Sequence, residues 1–379
     1  MRLVFHEPYT EPFGGAQRGL LTLIDEVRDE AEVILIVTGE GIVADAARRR
    51  GVRVIVDAPP SALRHYGYAT GLRSGSGMWR AASTVWLPYN LSFAKRIRGI
   101  GADALICNTQ RSAVLLAPQR WILNTPVIAY VRSTGPVPGR ASRQLVRRSA
   151  DYYIAVSEEV GRTFALPPTR TMVIENGIPV PADWSSDGAT GGARARRDGL
   201  VLLAVANVVE HKGYRDLLAA YARVADLHPR WRLRIVGSTD VDPILVKDLQ
   251  REAEESDIPV QLAGFRTDMG AEYAGADLFV LPSHEEGFPR SLLEAMLRGL
   301  PAVATDVSGV ATILKGAEGW IARARDSEDL ARALHEAMCA RERTPSLGLS
   351  NTEVVRARFT ASRVAAQFME CVRGWANAS

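Results

Sequence analysis

Cysteine is nearly missing from this chain of 379 residues, which has only Cys107, Cys339 and Cys371. They are far apart, odd in number and without a C-x-x-C pair, so neither a disulfide framework nor a zinc site is suggested, and a reducing cytoplasm fits. Long apolar runs are missing too: none approaches the ~18 residues of a membrane span. The segment Met1 to Pro12 has one short apolar run, broken by His6 and Glu7, which is not a signal peptide. The expectation is a cytoplasmic protein whose membrane contact, if any, is peripheral and on the inner face. There is no G-x-S-x-G, H-E-x-x-H or Walker loop, no short internal repeat and no low-complexity tract. RNA- and DNA-binding motifs are likewise absent, so no nucleic-acid partner is expected. Lysine is rare: only four of 46 basic residues are Lys, which makes arginine the default base.

What is present is an ordinary globular composition, 47% hydrophobic and 23% charged, in a chain long enough for two domains. The net charge of +3 is unevenly placed. From Ala58 to Ala150 there are 13 Arg or Lys against one acid, Asp103, so this stretch carries +12 and the remainder −9. Such a field favours an anionic partner, such as a membrane surface, a lipid diphosphate or nucleic acid, and with Trp79, Trp86, Tyr89, Phe93 and Trp121 interleaved the stretch could lie on an anionic membrane or hold a lipid-linked diphosphate sugar. The alternative is that these arginines simply face water.

Short β-rich runs alternate with helical patterns: Leu3 to Phe5, Val33 to Val37, Val52 to Val56, Ala104 to Cys107, Val127 to Val131 and Tyr153 to Val156 read as strands. This alternation implies a parallel sheet covered by helices. Gln17 to Val27 and Ile42 to Arg50 are the clearest helices, the second ending in three arginines before Gly51, which suits a left-handed cap. The stretch 181–198 is rich in Pro, Ser, Gly, Ala and Asp without periodicity and reads as a linker. Alternation restarts at Leu200 to Ala206, then Leu233 to Val236, Val260 to Leu262, Leu278 to Leu281 and Ala302 to Thr305. A last helix runs from about Val354 to Trp375. The expected organisation is therefore domain 1–180, linker 181–198, domain 199–350 and a terminal helical segment 351–379.

The most informative segment is His284 to Pro301, H-E-E-G-F-P-R-S-L-L-E-A-M-L-R-G-L-P. Asp277 to Pro282 reads as a buried strand, Gly287 to Pro289 as a tight turn and Arg290 to Arg298 as a helix with Pro289 near its first position. The unpaired amides of Arg290, Ser291 and Leu292 would favour a phosphate. Glu286 precedes that N-terminus and Glu294 lies about one turn inside it, so carboxylates that accept hydroxyl protons flank the phosphate position. A diphosphate with a hydroxylated ring at each end satisfies all three groups. Upstream, Leu202 to Tyr214 reads as strand, loop and helix start, with Lys212 at the carboxyl edge of the sheet, where its ammonium would neutralise such a diphosphate. Gly14 and Gly15, between the first strand and first helix, let backbone approach a ligand.

The E-x7-E spacing with G-F-P inside it, L-L-E-A-M after it and G-L-P-A-V-A-T beyond resembles the signature of the retaining glycosyltransferases of family 4. The resemblance implies the GT-B fold, an α/β architecture of two facing Rossmann-like domains with parallel sheets and a C-terminal helix crossing back to the first. It implies that Glu286 contacts the donor sugar, Glu294 the ribose, and the backbone of the stretch Gly287, Phe288, Pro289 to Leu292 the phosphates, through the N–H groups of its residues other than Pro289. It also implies that the Gly14–Gly15 loop closes over the donor phosphate and lines the acceptor site. Two positions depart from the family pattern. Asn207 stands where an Arg is usual, leaving Lys212 or a nearby Arg such as Arg266 to supply charge. Arg132 stands where a His near the reacting sugar is usual; a guanidinium is no base at neutral pH but binds phosphate or a sugar hydroxyl. The catalytic group is expected to be Glu286, Lys212 and Arg132.

The function so implied is transfer of a sugar, with retention, from a nucleotide-diphosphate sugar, UDP or GDP in the first instance. No tightly bound cofactor and no metal are expected. The acceptor would be a glycan or lipid-linked sugar of envelope polysaccharide assembly; a soluble natural-product acceptor is the alternative. A sugar-nucleotide binding protein without turnover is the reading from another class. Asp240 and Asp242 form a D-x-D of the kind metal-dependent transferases use, but read as a helix N-terminal cap. Gly39-Glu40-Gly41 follows the second strand and is not taken as a dinucleotide fingerprint.

Overall fold

A computed structural model describes residues 1–9, 14–64, 82–133, 140–180, 199–344 and 346–378. The expected linker 181–198, together with Trp79, lies outside these residues. The chain divides into two compact units, Met1–Gly177 with Ala361–Ser379, and Ile178–Thr360.

In the first unit the described residues form seven strands: β1 (Arg2–Glu7), β2 (Glu32–Val37), β3 (Arg53–Val56), β4 (Ala104–Cys107), β5 (Val127–Val131), β6 (Tyr152–Ala155) and β7 (Thr171–Val173). They pair in parallel in the order β3-β2-β1-β4-β5-β6-β7. Runs such as Val33–Val37 and Ala104–Cys107 are buried throughout, as strands covered on both faces must be. The helix Gly15–Val27 turns Leu20, Leu21, Leu23, Ile24 and Val27 inward at helical spacing. The chain leaves the helix Ile42–Arg49 through Gly51 at φ +74, the left-handed conformation expected after its three arginines. The helix Ala361–Ala378 packs against Gly15–Val27. Its Phe368 stacks on Phe5 with centroids 6.0 Å apart, and its Trp375 on Tyr152 at 4.7 Å.

In the second unit six described strands follow: β8 (Leu200–Val205), β9 (Trp231–Val236), β10 (Val260–Gly264), β11 (Leu278–Leu281), β12 (Ala302–Thr305) and β13 (Gly319–Ala322). Their order is β10-β9-β8-β11-β12-β13, again parallel. Leu202, Ala204, Leu233, Ile235, Val280 and Val303 meet Leu217, Tyr221, Leu330 and Leu334 from the covering helices in one core.

Three sequence expectations are corrected. The terminal helix from Val354 to Trp375 is two helices, Asn351–Arg358 and Ala361–Ala378. The break comes where Phe359, fully buried, packs against Phe288 at 5.6 Å and Thr360 forms a parallel bridge with Ile178. The segment 351–379 is accordingly divided: its first helix lies in the second unit and its second in the first. β7 and β13 lie outside the strands expected from sequence; both are short strands at the edges of their sheets and expose part of their length. The aromatics among the bases of 58–150 do not form one outer surface. Tyr89 and Phe93 are core residues at 8% and 1% exposure, and Trp86 is half-buried with its indole donating to the Leu115 carbonyl at 2.7 Å, leaving Trp121 as the exposed member among those described.

Candidate active site

Open parallel sheets gather ligands outside the carboxyl ends of their strands, where the strand order reverses. In the second unit that point lies between β8 and β11, and the loops leaving those two strands carry Lys212 and Glu286. Lys212 Nζ lies 2.6 Å from Glu286 Oε1, and the same oxygen accepts from Ser283 Oγ at 2.7 Å. Both members of the ion pair are mostly buried, with side chains 19% and 13% exposed.

Local backbone demands explain the meeting. Gly213 follows Lys212 at φ +69, and a Cβ there would come within 2.0 Å of the Pro282 carbonyl oxygen. Only glycine lets the β8 loop lie against the β11 loop. Two further bonds stitch the loops: His284 N donates to the His211 carbonyl at 2.9 Å, and His284 Nε2 is 2.7 Å from Asp216 Oδ2. The His211 imidazole is held below its usual pKa, chiefly by burial and then by the Lys212 charge. Gly237 makes a comparable close approach, with a Cβ falling 1.9 Å from the Ala206 carbonyl oxygen. Asn207, half-buried, stands on the loop so confined.

Beyond Glu286, Gly287 and Phe288 are fixed from behind. Ser308 Oγ donates to the Gly287 carbonyl at 2.9 Å, and Gly309, at φ +82, leaves room for Phe288, whose Cδ2 would be 2.7 Å from a Cβ. Pro289 then caps the helix Arg290–Leu297 without any side-chain cap bond. Amides at 290, 291 and 292 begin that helix, with Ser291 half-buried and Leu292 in the core. Glu294 is one turn in; its Oε2 accepts from the buried Tyr273 hydroxyl at 3.0 Å, and its Oε1 lies 3.9 Å from Arg290. Arg266 pairs instead with Glu272, Nε to Oε1 at 3.6 Å, and is 45% exposed. The D-x-D is a cap, as read: Asp242 accepts from Leu245 N at 3.1 Å and opens the helix Pro243–Glu255.

In the first unit the order reverses between β1 and β4, and a buried polar cluster stands at that point. Glu7, the last residue of β1, is fully buried; it accepts from Tyr9 N at 2.9 Å, from Gln17 Nε2 at 3.3 Å and from Asn108 Nδ2 at 2.5 Å. Burial raises its carboxyl pKa, and these donors with the Arg132 charge oppose the rise. Arg132, at the end of β5, is 8% exposed. Its Nε donates to Asn108 Oδ1 at 2.7 Å, its Nη1 to Asn176 Oδ1 at 3.3 Å, and its guanidinium lies 3.7 Å from the Tyr130 ring centroid. Gly14 and Gly15, expected in a loop, are the cap and first residue of the helix Gly15–Val27, and Gly14 N donates to Gln17 Oε1 at 3.0 Å, which ties that helix start to the same cluster.

The structure thus brings Lys212, Glu286 and the start of the Arg290 helix together, and separately joins Arg132 to the Gly14 helix start. Sequence reasoning missed Ser283, Tyr273 and Asp216 in the first set and Glu7, Gln17, Asn108 and Asn176 in the second. Glu7 left a usable signal: a lone acid ending the first apolar strand. Ser283 stands three residues before Glu286 on the same loop, and the others are placed by contacts across 10 to 101 residues, as the Gln17–Glu7 and Asn108–Glu7 bonds are.

Residues 13–180 match the family model described as Glycosyltransferase Family 4, and residues 199–339 the model described as Glycosyl transferases group 1. The crystal structure of Anabaena HepE in complex with UDP and glucose superimposes with a TM-score of 0.80 at 20% identity, covering 99% of this chain and 100% of that one. Two parallel-sheet Rossmann-like units with these matches define the GT-B class of glycosyltransferases. Within it, the chain belongs to family 4. A Haemophilus influenzae protein described as an uncharacterized glycosyltransferase is 30% identical over 142 residues, 37% of this chain and 40% of that protein. The exopolysaccharide phosphotransferase of Streptomyces coelicolor is 28% identical over 367 residues, 89% of this chain and 37% of that protein. The chain spans about two-fifths of the length of these curated relatives.

Proposed function

We propose that the chain transfers a sugar from a nucleotide-diphosphate sugar to an acceptor hydroxyl, with retention and without a metal in the reaction. The observation that carries this reading is the Lys212–Glu286 pair, 2.6 Å apart at the carboxyl edge of the sheet beside the Arg290 helix. Donor diphosphate would lie at the amides of Arg290, Ser291 and Leu292, with Lys212 and the Asn207 amide as its side-chain donors. Lys212 then leaves Glu286 for the phosphate, and the freed carboxylate accepts sugar hydroxyls. Glu294, steadied by Tyr273, would hold the ribose. As the glycosidic bond breaks, negative charge grows on the leaving diphosphate; Lys212 stabilises it, and the leaving phosphate oxygen takes the acceptor's proton on the same face. Arg132 and the Gly14–Gly15 helix start would bind sugar or phosphate oxygens. UDP is the first donor base to test, because HepE has been crystallised with UDP-glucose.

For the acceptor we propose a glycan or lipid-linked sugar of envelope polysaccharide assembly. The name of the Streptomyces relative and the +12 charge of residues 58–150 support this class. The test is hydrolysis and binding of a panel of UDP-, GDP-, ADP- and dTDP-sugars by wild type, Lys212→Ala and Glu294→Ala. Release of one nucleotide is expected, with Lys212→Ala lowering kcat/KM roughly a hundredfold. Glu294→Ala is expected to raise the donor KM about tenfold, the size of one lost hydrogen bond to a charged group. No binding to any member of the panel would sink the donor site. Binding without turnover would leave either a missing acceptor or the binding-protein reading.

A further inference from the structure

At the opposite, amino edge of the second sheet, three residues from two distant stretches of the chain come together. His228 lies in the turn before β9, and His335 and Cys339 lie one turn apart on the helix Ser327–Arg343. One donor atom from each is within 4.8 Å of the other two. His228 Nε2 is 3.0 Å from His335 Nδ1, and His335 Nε2 is 3.9 Å from Cys339 Sγ. These two contacts use opposite nitrogens of the His335 ring; a tetrahedral zinc would set its nitrogens roughly 3.4 Å apart and nitrogen to sulfur roughly 3.5 Å, so one His335 nitrogen and its partners, already grouped within 4.8 Å, close by about 1 Å on binding.

A fourth residue fixes the chemistry. Glu342, on the same helix, accepts from Trp231 Nε1 at 2.8 Å, and the same Oε1 lies 3.2 Å from His228 Nδ1. A carboxylate oxygen brings no proton, so His228 Nδ1 carries the hydrogen and Nε2 presents its lone pair toward His335 and Cys339. A carboxylate behind a histidine whose other nitrogen faces outward is the outer-shell arrangement of histidine metal ligands. His228 is 4% exposed, which holds its ring in that orientation.

We propose that His228 Nε2, one ring nitrogen of His335 and the Cys339 thiolate bind a zinc ion, with water in the fourth position. Two imidazoles and a thiol select zinc over magnesium or calcium. On binding, the Cys339 thiol releases its proton to solvent and three coordinate bonds form; no electron is transferred. The ion joins the turn before β9 to the helix Ser327–Arg343. It serves stability at the edge of the sheet away from Lys212 and Glu286, and the proposal does not depend on the donor reading.

The test is titration of the metal-free full chain with Co²⁺ under anaerobic conditions. Wild type is expected to take up one equivalent with a thiolate-to-cobalt charge-transfer band that Zn²⁺ abolishes, and zinc is expected to raise its Tm. Cys339→Ser is expected to lose the band, and His335→Ala and Glu342→Gln to bind at least about tenfold more weakly. Metal-free variants should retain the far-UV circular dichroism of metal-free wild type, since His335 is exposed and Cys339 half-buried. Failure of wild type to bind Co²⁺ stoichiometrically, or a charge-transfer band that survives in Cys339→Ser, overturns the proposal.

Discussion

Gly213 sets the geometry of the Lys212–Glu286 pair through two independent constraints. Its φ of +69 costs an L-residue about 1–2 kcal/mol, and a Cβ would also collide with the Pro282 carbonyl at 2.0 Å. Gly213→Ala is therefore expected to destabilise the second unit by roughly 2–4 kcal/mol and to weaken donor binding, because the two loops must part. Urea unfolding read beside nucleotide affinity checks both effects; an unchanged midpoint would show that the loops yield without cost. His6 makes the opposite kind of demand. It is fully buried, edge-on to Phe93, with Nδ1 2.6 Å from Ser112 Oγ and Nε2 without a hydrogen-bond partner among the described residues. Burial pulls its pKa from 6.5 down to about 3. Between those values the unfolded chain binds the proton and the folded one does not, so stability falls as pH drops from about 6.5 toward 3, by up to ~1.4 kcal/mol per pH unit. The raised pKa of buried Glu7 works the other way, its contribution being complete below the ordinary carboxylate pKa and lost as pH rises through the folded value. His6→Phe should flatten the acid-side slope while leaving the Glu7 contribution in place; an unchanged slope in chemical denaturation from pH 4 to 7 would remove His6 as its source.

The helix Ala361–Ala378 shows at the scale of an element how residues distant in sequence complete a core. Phe368 is fully buried against Phe5 of the interior strand β1, so Phe368→Ala is expected to cost about 3–5 kcal/mol, mostly through the cavity left behind. If the first unit melts separately, calorimetry should show its transition alone moving down; a shift of only the second unit's transition would contradict the assignment of this helix. The helix itself was legible from its apolar spacing, but its start was not. The break at Phe359 and Thr360 depends on Phe288 and Ile178, which are 71 and 182 residues away, and no local signal announces either contact. Buried parallel strands such as β4, β11 and β12 were read to the residue because each is a short apolar run covered on both faces. β13 escaped because an edge strand of sequence G-W-I-A needs only one covered side. The same division runs through the candidate site. Glu286 and Glu294 lie within one motif and were visible, whereas Tyr273 and the Glu7–Asn108–Arg132 cluster acquire meaning only when distant segments converge. Cys339 and His335 share a helix face one turn apart, yet His228 approaches them from 107 residues away.

Across the whole molecule the charges separate, +12 on residues 58–150 against −9 elsewhere, and some of that charge has a specific setting. On the helix Leu87–Ile100, exposed Leu87, Leu91, Lys95 and Arg98 recur at helical spacing along one stripe. The short helix Gln119–Ile122 packs beside it, joined through Gln119 to Asn90 at 2.8 Å, and carries Trp121 at 68% exposure next to Arg120. Apolar side chains flanked by bases suit the interface of an anionic bilayer, where each base near the surface contributes about 1 kcal/mol and an indole rests at headgroup depth. No described helix is long and apolar enough to cross a membrane, so such contact would be along the surface. Sedimentation with vesicles containing phosphatidylglycerol is expected to capture the chain, and less of it as salt rises, because the Debye length contracts from ~10 Å at 0.1 M to ~3 Å at 1 M. Lys95→Gln with Trp121→Ala removes one charge and most of one apolar anchor, together on the order of 3 kcal/mol, which lowers partitioning about a hundredfold. Nucleotide release from the donor should be unchanged in that variant, since neither residue belongs to the donor machinery. Equal capture by neutral vesicles would mean that apolar insertion suffices without the basic stretch, while no capture by either would return the acceptor search to soluble glycans.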